Sequence, residues 1–410
     1  MKTSIFLLLS LNNFLDILKI ETSKVDKVHI LTPLDNLEYT EEELSKFLGV
    51  HNKIIISRNV TIKKLNSMLN TIDSNSNIEN VFAFEEYCLL GAAVLREYFK
   101  INGKYPKEIL PFRDKKIMIK LLEKSDIQSV KIPYTEEYVD YKQVSNLLKE
   151  YNKVIAKRRD GMGSKDMVIF TNDLTISQIK ELASRIRKDK KYLVQEFIEG
   201  SVFHYDTYII DRTPIIDNIM MYQDHQFEFD SNDSLSAVSV ADDDLRSRLI
   251  NSAHDIIRSY GFDKVTLHLE MIHSDAGIYF CEVGVRPGGA GVVPVVQELY
   301  GINLFEVEYS LQSNEIHRLP NRTIEQVNYG GWTIIHPTEG YVTYVSDVNE
   351  ILSVEGVKSA KSFIAVGDYL SAGKHCATKV FQAVYTSEDI ETVSSSKDKI
   401  LSNFKFKTKN

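Results

Sequence analysis

The stretch from Thr266 to Gly291 constrains this chain more than any other. Thr266 to Ile272 alternates as a strand, Ser274-Asp275-Ala276-Gly277 is a turn, and Gly277 to Val283 is a second strand. Two such runs joined by a short glycine-containing turn read as a β-hairpin. Each run carries an acid, Glu270 in the first and Glu282 in the second, so neighbouring strands bring two carboxylates where both can face one point. Glu282 stands among Ile278, Phe280 and Val283, and a carboxylate in such an apolar strand is costly unless it is paired or metal-bound. Gly284-Val285-Arg286-Pro287-Gly288-Gly289-Ala290-Gly291 follows at once. Its glycines let a substrate lie against the backbone, and Arg286 is expected to project into the same site.

A second segment, Lys157-Arg158-Arg159-Asp160-Gly161-Met162-Gly163-Ser164-Lys165, lies between two strand-like runs. Gly161 and Gly163 let successive N–H groups point at an anion, and Lys157 brings a point charge for a phosphate. The segment is no Walker loop, because G-x-x-x-x-G-K-[ST] is absent. It is no dinucleotide fingerprint either, because a strand follows it instead of a helix. Alone it reads equally as a hairpin turn. Beside a bound triphosphate, the two glutamates form a site for a hard cation. Mg2+ takes one or two carboxylates together with phosphate oxygens and water, and Mn2+ is the natural substitute.

The chain's 410 residues suggest two to four domains. Residues 1–112 alternate strand and helix, which implies a parallel sheet. Val28 to Leu31, Lys53 to Ile56 and Val81 to Phe84 are expected strands, and Glu85 to Phe99 a helix. Thr40 with Glu43 three residues on marks a capped helix start. From residue 113 the text changes. A helix is expected from Arg113 to about Lys124, a strand over Ser129 to Pro133, and helices over 141–150 and 175–188. Strands are expected over Val154 to Lys157, Met167 to Phe170, Tyr192 to Phe197, Val202 to Ile210 and Ile215 to Tyr222. One long helix over 243–260 stops at Gly261. The last 80 or so residues read as short strands and turns, and the Lys-rich tail from Ser394 as frayed. The fold class is therefore α/β, or α+β. An N-terminal α/β domain spans 1–112, a central domain 113–310 (parts 113–190 and 191–310), and a strand-rich domain 311–410.

The formal net charge of -8 argues against non-specific nucleic-acid binding, which needs basic surface. No apolar run approaches a membrane span. Lys2 followed by Ile5 to Leu9 resembles a signal-peptide core, but no small-residue cleavage site follows, and Asp16 and Lys19 interrupt it. A buried first strand running into an amphipathic helix is expected instead. Three scattered cysteines, Cys88, Cys281 and Cys376, suggest neither a disulfide framework nor a metal site. They point to a reducing compartment, the cytoplasm. No G-x-S-x-G or Cys/His nucleophile signature is present.

Five segments, Arg113-Asp114-Lys115, Lys157 to Lys165, Gln195 to Gly200, His268-Leu269-Glu270 and Glu282 to Gly289, occur in an order that resembles the ATP-grasp enzymes. The likeness spans about residues 113–310 and is nearest the carboxylate–amine ligase branch, with biotin carboxylase and D-alanine–D-alanine ligase as relatives. It implies an ATP-grasp fold with a Rossmann-like pre-ATP-grasp domain in front. The activity it implies is ATP-dependent joining of a carboxylate to an amine through an acyl-phosphate. Lys115 and Lys157 would hold the α- and β-phosphates. Gly161, Gly163 and Ser164 would form a flap over them. Glu196 and Ile198 would read adenine through backbone groups, with Phe197 against the base. Glu270 and Glu282 would bind Mg2+. Arg286 would stabilise the acyl-phosphate and the tetrahedral intermediate, with His268, Gly288 and Gly289 near the substrate. The sequence departs from the family pattern at Gly284, where many members carry asparagine. It also departs near Val202, where many have a ribose-binding glutamate; His204 and Asp206 are candidates to replace that residue. The partners implied are small-molecule carboxylates and amines. A carrier-protein thiol is an alternative acceptor, and a homodimer is a family-level expectation. A non-catalytic nucleotide-binding module of the same fold is the rival reading.

Overall fold

The computed structural model describes residues 1–34, 39–51, 53–61, 77–163, 166–186, 191–223, 234–371 and 379–409. The chain divides into two compact units. The first comprises Met1–Arg113, Gly284–Pro287 and Leu304–Asn321, and the second Asp114–Val283, Gly288–Asn303 and Arg322–Asn410.

In the first unit, strands β1 (Lys2–Leu7), β2 (Lys27–Leu31), β3 (Ile54–Ser57) and β4 (Asn77–Ala83) form a sheet in the order β3-β2-β1-β4. All its pairings are parallel, as the strand and helix alternation implies. The N-terminal apolar run is β1, and helix Leu15–Lys24 follows it. Phe6, Phe14, Phe82 and Phe84 are fully or almost fully buried and make the centre of this core. Thr40 and Glu43 cap helix Glu41–Leu48 reciprocally. The strand order reverses between β1 and β4, so their carboxyl ends flank a switch point of the kind where open α/β sheets bind ligands.

Among the described residues, the second unit holds three sheets. The first is antiparallel in the order β5-β8-β6-β7, built from β5 (Thr135–Glu137), β6 (Lys153–Arg158), β7 (Val168–Thr171) and β8 (Tyr192–Glu196). Helices Tyr141–Glu150 and Ile176–Ala183 pack on it, closing a core of Val144, Leu147, Val154, Phe170 and Ile179. The largest sheet has β9 (Ser201–Ile210) near its middle, with β10 (Thr213–Pro214) pairing to it alone. Its main path runs β14-β13-β9-β11-β12-β15-β19-β17. The members are β11 (Asn218–Tyr222), β12 (Ser234–Ser239), β13 (Val265–Ser274), β14 (Gly277–Gly284), β15 (Tyr329–Ile335), β17 (Val357–Ser362) and β19 (Phe381–Ser387). The third sheet orders β16 (Gly340–Val345), β18 (Tyr369–Leu370) and β20 (Phe406–Lys409) as β18-β16-β20. Helix Asp243–Tyr260 starts on an Asp242 cap and ends at Gly261, whose φ of +69° is easy only for glycine.

Several expectations are corrected. Ser129 to Pro133 is no strand; Lys131 alone bridges Tyr279, and Pro133 has no N–H with which to extend the pairing. The helix expected to reach residue 188 ends at Ala183. The tail is not frayed: Ile390–Asn403 is a helix burying Val393, Ser396 and Ile400, and β20 pairs with β16. Helices Val292–Tyr300 and Leu304–Gln312 and strand β12 were not foreseen. Among the described residues no helix is long and apolar enough to cross a membrane.

Candidate functional site

The hairpin forms as its alternation predicts, with Glu270 on β13 and Glu282 on the adjoining β14. Lys115 lies at the start of helix Lys115–Glu123, which the Asp114 side chain caps. Its Nζ is 2.7 Å from Glu282 Oε2 and donates to the Gly161 carbonyl at 2.6 Å. One lysine thus joins a metal-ligand candidate to the glycine loop. The Cys281 thiol, one residue before Glu282 on β14, lies 3.9 Å from Glu270 Oε2. Burial pushes it up to about 12, with Glu270 and Glu282 adding to the rise and Lys157 and Lys115 opposing it. Lys157 and Cys281 line one pocket, Cys281 lies beside Glu270, and Lys115 pairs with Glu282, so these contacts link the two lysines and the two glutamates. A thiol so disfavoured as thiolate is no nucleophile.

Lys157 is the penultimate residue of β6 and is 9% exposed. It lines an apolar pocket with Pro133, Ile155, Phe197, Ile198, Ile272, Phe280 and Cys281, closed by Gln195 and Glu196 at the end of β8. The backbone there is partly committed. The Glu196 N–H donates to Tyr134 O, the Phe197 N–H donates to Lys153 O, and the Glu196 carboxylate accepts from the Tyr134 N–H at 2.8 Å. Lys153 Nζ lies 4.0 Å from the centre of the Phe197 ring, a cation–π contact that holds the ring in place.

The glycine loop is only partly as expected. Gly163 has φ +58°, in the left-handed region, but the Gly161 N–H turns inward to Arg158 O at 3.3 Å and does not point outward. Ser164 lies outside the described residues.

His204 and Asp206 on β9 share a sheet face with His268 and Glu270 on β13, and register pairs His268 with Asp206 and Glu270 with His204. His204 and Asp206 have no exposed surface, so no ribose hydroxyl reaches them in this conformation. Asp206 Oδ2 is 2.5 Å from His204 Nδ1, and Asp206 Oδ1 is 2.7 Å from His268 Nδ1. Burial alone would raise the Asp206 carboxyl, but the two imidazoles outweigh it and hold it well below the usual carboxylate range. Glu270 is lowered for the same reason: burial opposes ionisation, and His268, His204 and Tyr222 overcome it. A Cβ on Gly288 would fall 2.7 Å from Asp206 Oδ1, so the backbone after the hairpin packs directly on this network. Gly289 has open space around its Cβ position.

In the first unit, Arg286 is 16% exposed, and its Nε donates to Glu86 Oε2 at 2.7 Å. Arg113 pairs with the other Glu86 oxygen. Glu86, just past β4, was missed by sequence reasoning. Nothing in the neighbouring residues marks it, and its partner Arg286 is 200 positions away.

Residues 112–290 match the model of the ATP-grasp domain family. No curated protein sequence matches the chain. Among solved structures, L-amino acid ligase from Bacillus licheniformis is 16% identical and superposes with a TM-score of 0.71, covering 100% of this chain and 99% of that one. Phosphoribosylglycinamide synthetase from Anaerococcus prevotii is 14% identical, with a TM-score of 0.68 and 100% of both chains covered. The biotin carboxylase domain of 2-oxoglutarate carboxylase from Hydrogenobacter thermophilus, solved with magnesium ADP and bicarbonate, is 12% identical, with a TM-score of 0.67 and 98% of this chain and 90% of that one covered. At such identities the likeness concerns the fold. Residues 112–290 form an ATP-grasp domain, and the whole chain has the ATP-grasp fold.

Proposed function

We propose that the protein is an ATP-dependent ligase that activates a small-molecule carboxylate as its acyl-phosphate and transfers the acyl group to an amine, releasing ADP and phosphate. The supporting observation is the Lys115–Glu282 pair at 2.7 Å against the glycine loop, with Glu270 Oε2 3.9 Å from the Cys281 sulfur and Lys157 and Cys281 lining an apolar pocket at the end of β8. Hard oxygen donors on adjacent strands suit Mg2+ or Mn2+ better than a soft-ligand metal. When bound, such a cation supplies charge neutralisation to the phosphate oxygens.

The protein's own residues account for the rest. The apolar pocket takes the adenine, with the Glu196 carbonyl and Ile198 N–H facing its polar edge and Phe197 against its plane. Lys115 and Lys157 hold the phosphates by charge, and Lys115 leaves Glu282 and the Gly161 carbonyl to do so. A substrate carboxylate oxygen then attacks the γ-phosphorus as the bond to the β-phosphate oxygen breaks. An amine next attacks the acyl carbon, and phosphate leaves with the C–O electron pair. Arg286 is assigned to the developing oxyanion from its place four residues after Glu282 in the chain. Closure of the glycine loop excludes water that would hydrolyse the intermediate.

The test is incubation with Mg-ATP and a mixed pool of amino acids and simple carboxylates, with nucleotide products and new masses read together. ADP, phosphate and a condensed product are expected. AMP and pyrophosphate would refute the acyl-phosphate route. Glu282→Gln is expected to abolish turnover while the melting temperature holds, and near-normal turnover would remove Glu282 from the site.

A further inference from the structure

We infer that Asp206, acting through His268, is a positioning residue for Glu270, so that a carboxylate buried in the sheet fixes the orientation of one at the cation site; this rests on the assignment of Glu270 and Glu282 to a divalent cation. The argument starts from register. Residues two apart on a strand share a face, so His204 and Asp206 on β9 face His268 and Glu270 on β13 as a two-by-two block. Asn218 on β11 stands opposite Asp206 on the other side. Asp206 therefore draws donors from three adjacent strands: His268 Nδ1 at 2.7 Å on one oxygen, with His204 Nδ1 at 2.5 Å and Asn218 Nδ2 at 3.3 Å on the other.

An ionised carboxylate only accepts hydrogen bonds, so both rings carry a proton on Nδ1. This fixes which nitrogen of His268 faces outward. His268 Nε2 lies 3.7 Å from Glu270 Oε1, a packing contact longer than a hydrogen bond, and the Tyr222 hydroxyl donates to the same oxygen at 3.2 Å, so the carboxylate is held between the ring and the phenol. The chain Asp206–His268–Glu270 runs outward, from a side chain with no exposure to one 16% exposed. Its inner end is pinned by three donors. Its outer end is a carboxylate whose second oxygen, Oε2, lies 3.9 Å from the Cys281 sulfur. Carboxylate–histidine pairs often orient metal ligands from behind; here the imidazole steers the carboxylate ligand and is not itself a ligand.

A direct metal site at His204, Asp206 and His268 is the competing reading, since their ligand atoms lie within 4.8 Å of one another. Yet the two contacts to Asp206, 2.5 and 2.7 Å, are hydrogen-bond lengths. Ligands on a tetrahedral zinc with bonds of about 2.0–2.1 Å stand roughly 3.3 Å apart. The cluster is closed upon itself by hydrogen bonds.

The experiment uses Mn2+ as the probe. Its binding to the full-length protein with saturating ADP is followed by the EPR signal of free Mn2+, beside ADP affinity without metal and the melting temperature. Asp206→Asn keeps the shape and removes the charge; His268→Gln removes the ring and covers the case in which Asp206→Asn fails to fold. Either folded variant is expected to weaken Mn2+ binding about 10- to 100-fold, the usual effect of losing an outer-shell partner, with metal-free ADP affinity within twofold of wild type. Unchanged Mn2+ affinity in a folded variant overturns the positioning role. Glu270→Gln and Glu282→Gln separate the two levels. If they weaken Mn2+ binding while His268→Gln and Asp206→Asn do not, only the positioning inference falls. If they too leave it unchanged, the cation assignment falls and takes the inference with it.

Discussion

Replacing Lys115 with methionine tests the arrangement at its most connected point. The side chain is 11% exposed, and its Nζ lies 2.7 Å from a Glu282 carboxylate that is 29% exposed. At an effective dielectric near 20, the gross attraction of such a pair is about 6 kcal/mol. Desolvation of two partly buried charges cancels most of that, leaving roughly 1–2 kcal/mol net. Lys115→Met should therefore lower the melting temperature by a few degrees. The effect on nucleotide is larger than the effect on stability. The variant loses a charge-assisted contact to phosphate worth about 1.5–3 kcal/mol. It also leaves Glu282 without this cation, so that the carboxylate repels the incoming phosphates. ADP affinity in EDTA, measured by calorimetry, should fall by about 10- to 150-fold, since each 1.4 kcal/mol is tenfold. Adding Glu282→Gln to the variant removes the repulsion and should recover part of the loss in EDTA. Unchanged metal-free ADP affinity in a folded Lys115→Met protein would refute the reasoning, and so would strictly additive effects of the two substitutions.

Three further outcomes follow from the geometry. Gly291→Ala should destabilise the protein by about 1–3 kcal/mol, because its Cβ would overlap the buried Trp332 side chain; an unchanged denaturant midpoint would contradict this. Asp217→Asn probes pH. Burial pushes the Asp217 carboxyl up, but His254, Tyr205 and Arg246 outweigh it and leave it depressed. A depressed carboxyl stabilises the fold above the unfolded-chain value of about 3.9 and loses that contribution as pH falls through the folded value. The variant should thus be less stable than wild type at pH 7, and the two stability curves should converge on acidification below about pH 4; a constant gap would refute it. Glu86→Gln leaves Arg113 and Arg286 facing a neutral amide. It should cost about 3 kcal/mol of stability, as breaking a buried ion pair does, and a melting temperature equal to wild type would count against the pairing.

What was legible in the sequence is what repeats locally. The two-residue alternation of Thr266 to Ile272 fixed β13, and the Thr40 and Glu43 pair fixed a helix start that the structure caps in both directions. The tail was misread because its lysines drew attention from the residues between them. Phe404 is buried, Phe406 and Thr408 are half-buried, and Lys405, Lys407 and Lys409 are exposed, the pattern of a charged edge strand. The sequence likewise put His204 and Asp206 on one strand face without revealing that this face is covered. Burial on a central strand depends on elements far away in the chain, here β13 and the loop at Gly288. Glu86 carries no local mark at all, because an ion pair between residues 86 and 286 exists only once the chain has folded.

The largest sheet runs without a break from β14, which carries Glu282, to β17 and β19 in the last hundred residues. The ladder makes these distant segments one cooperative block. Excising residues 329–409 would strip β12 of its neighbour β15 and bare a row of N–H and C=O groups. Among the described residues, the four-stranded sheet β5-β8-β6-β7 pairs only within itself. Recombination between relatives should therefore succeed at residues 134–197, a cassette whose strand ladder closes on itself. It should fail at the C-terminal segment, which amide exchange should show opening together with the β13-β14 hairpin as a single unit.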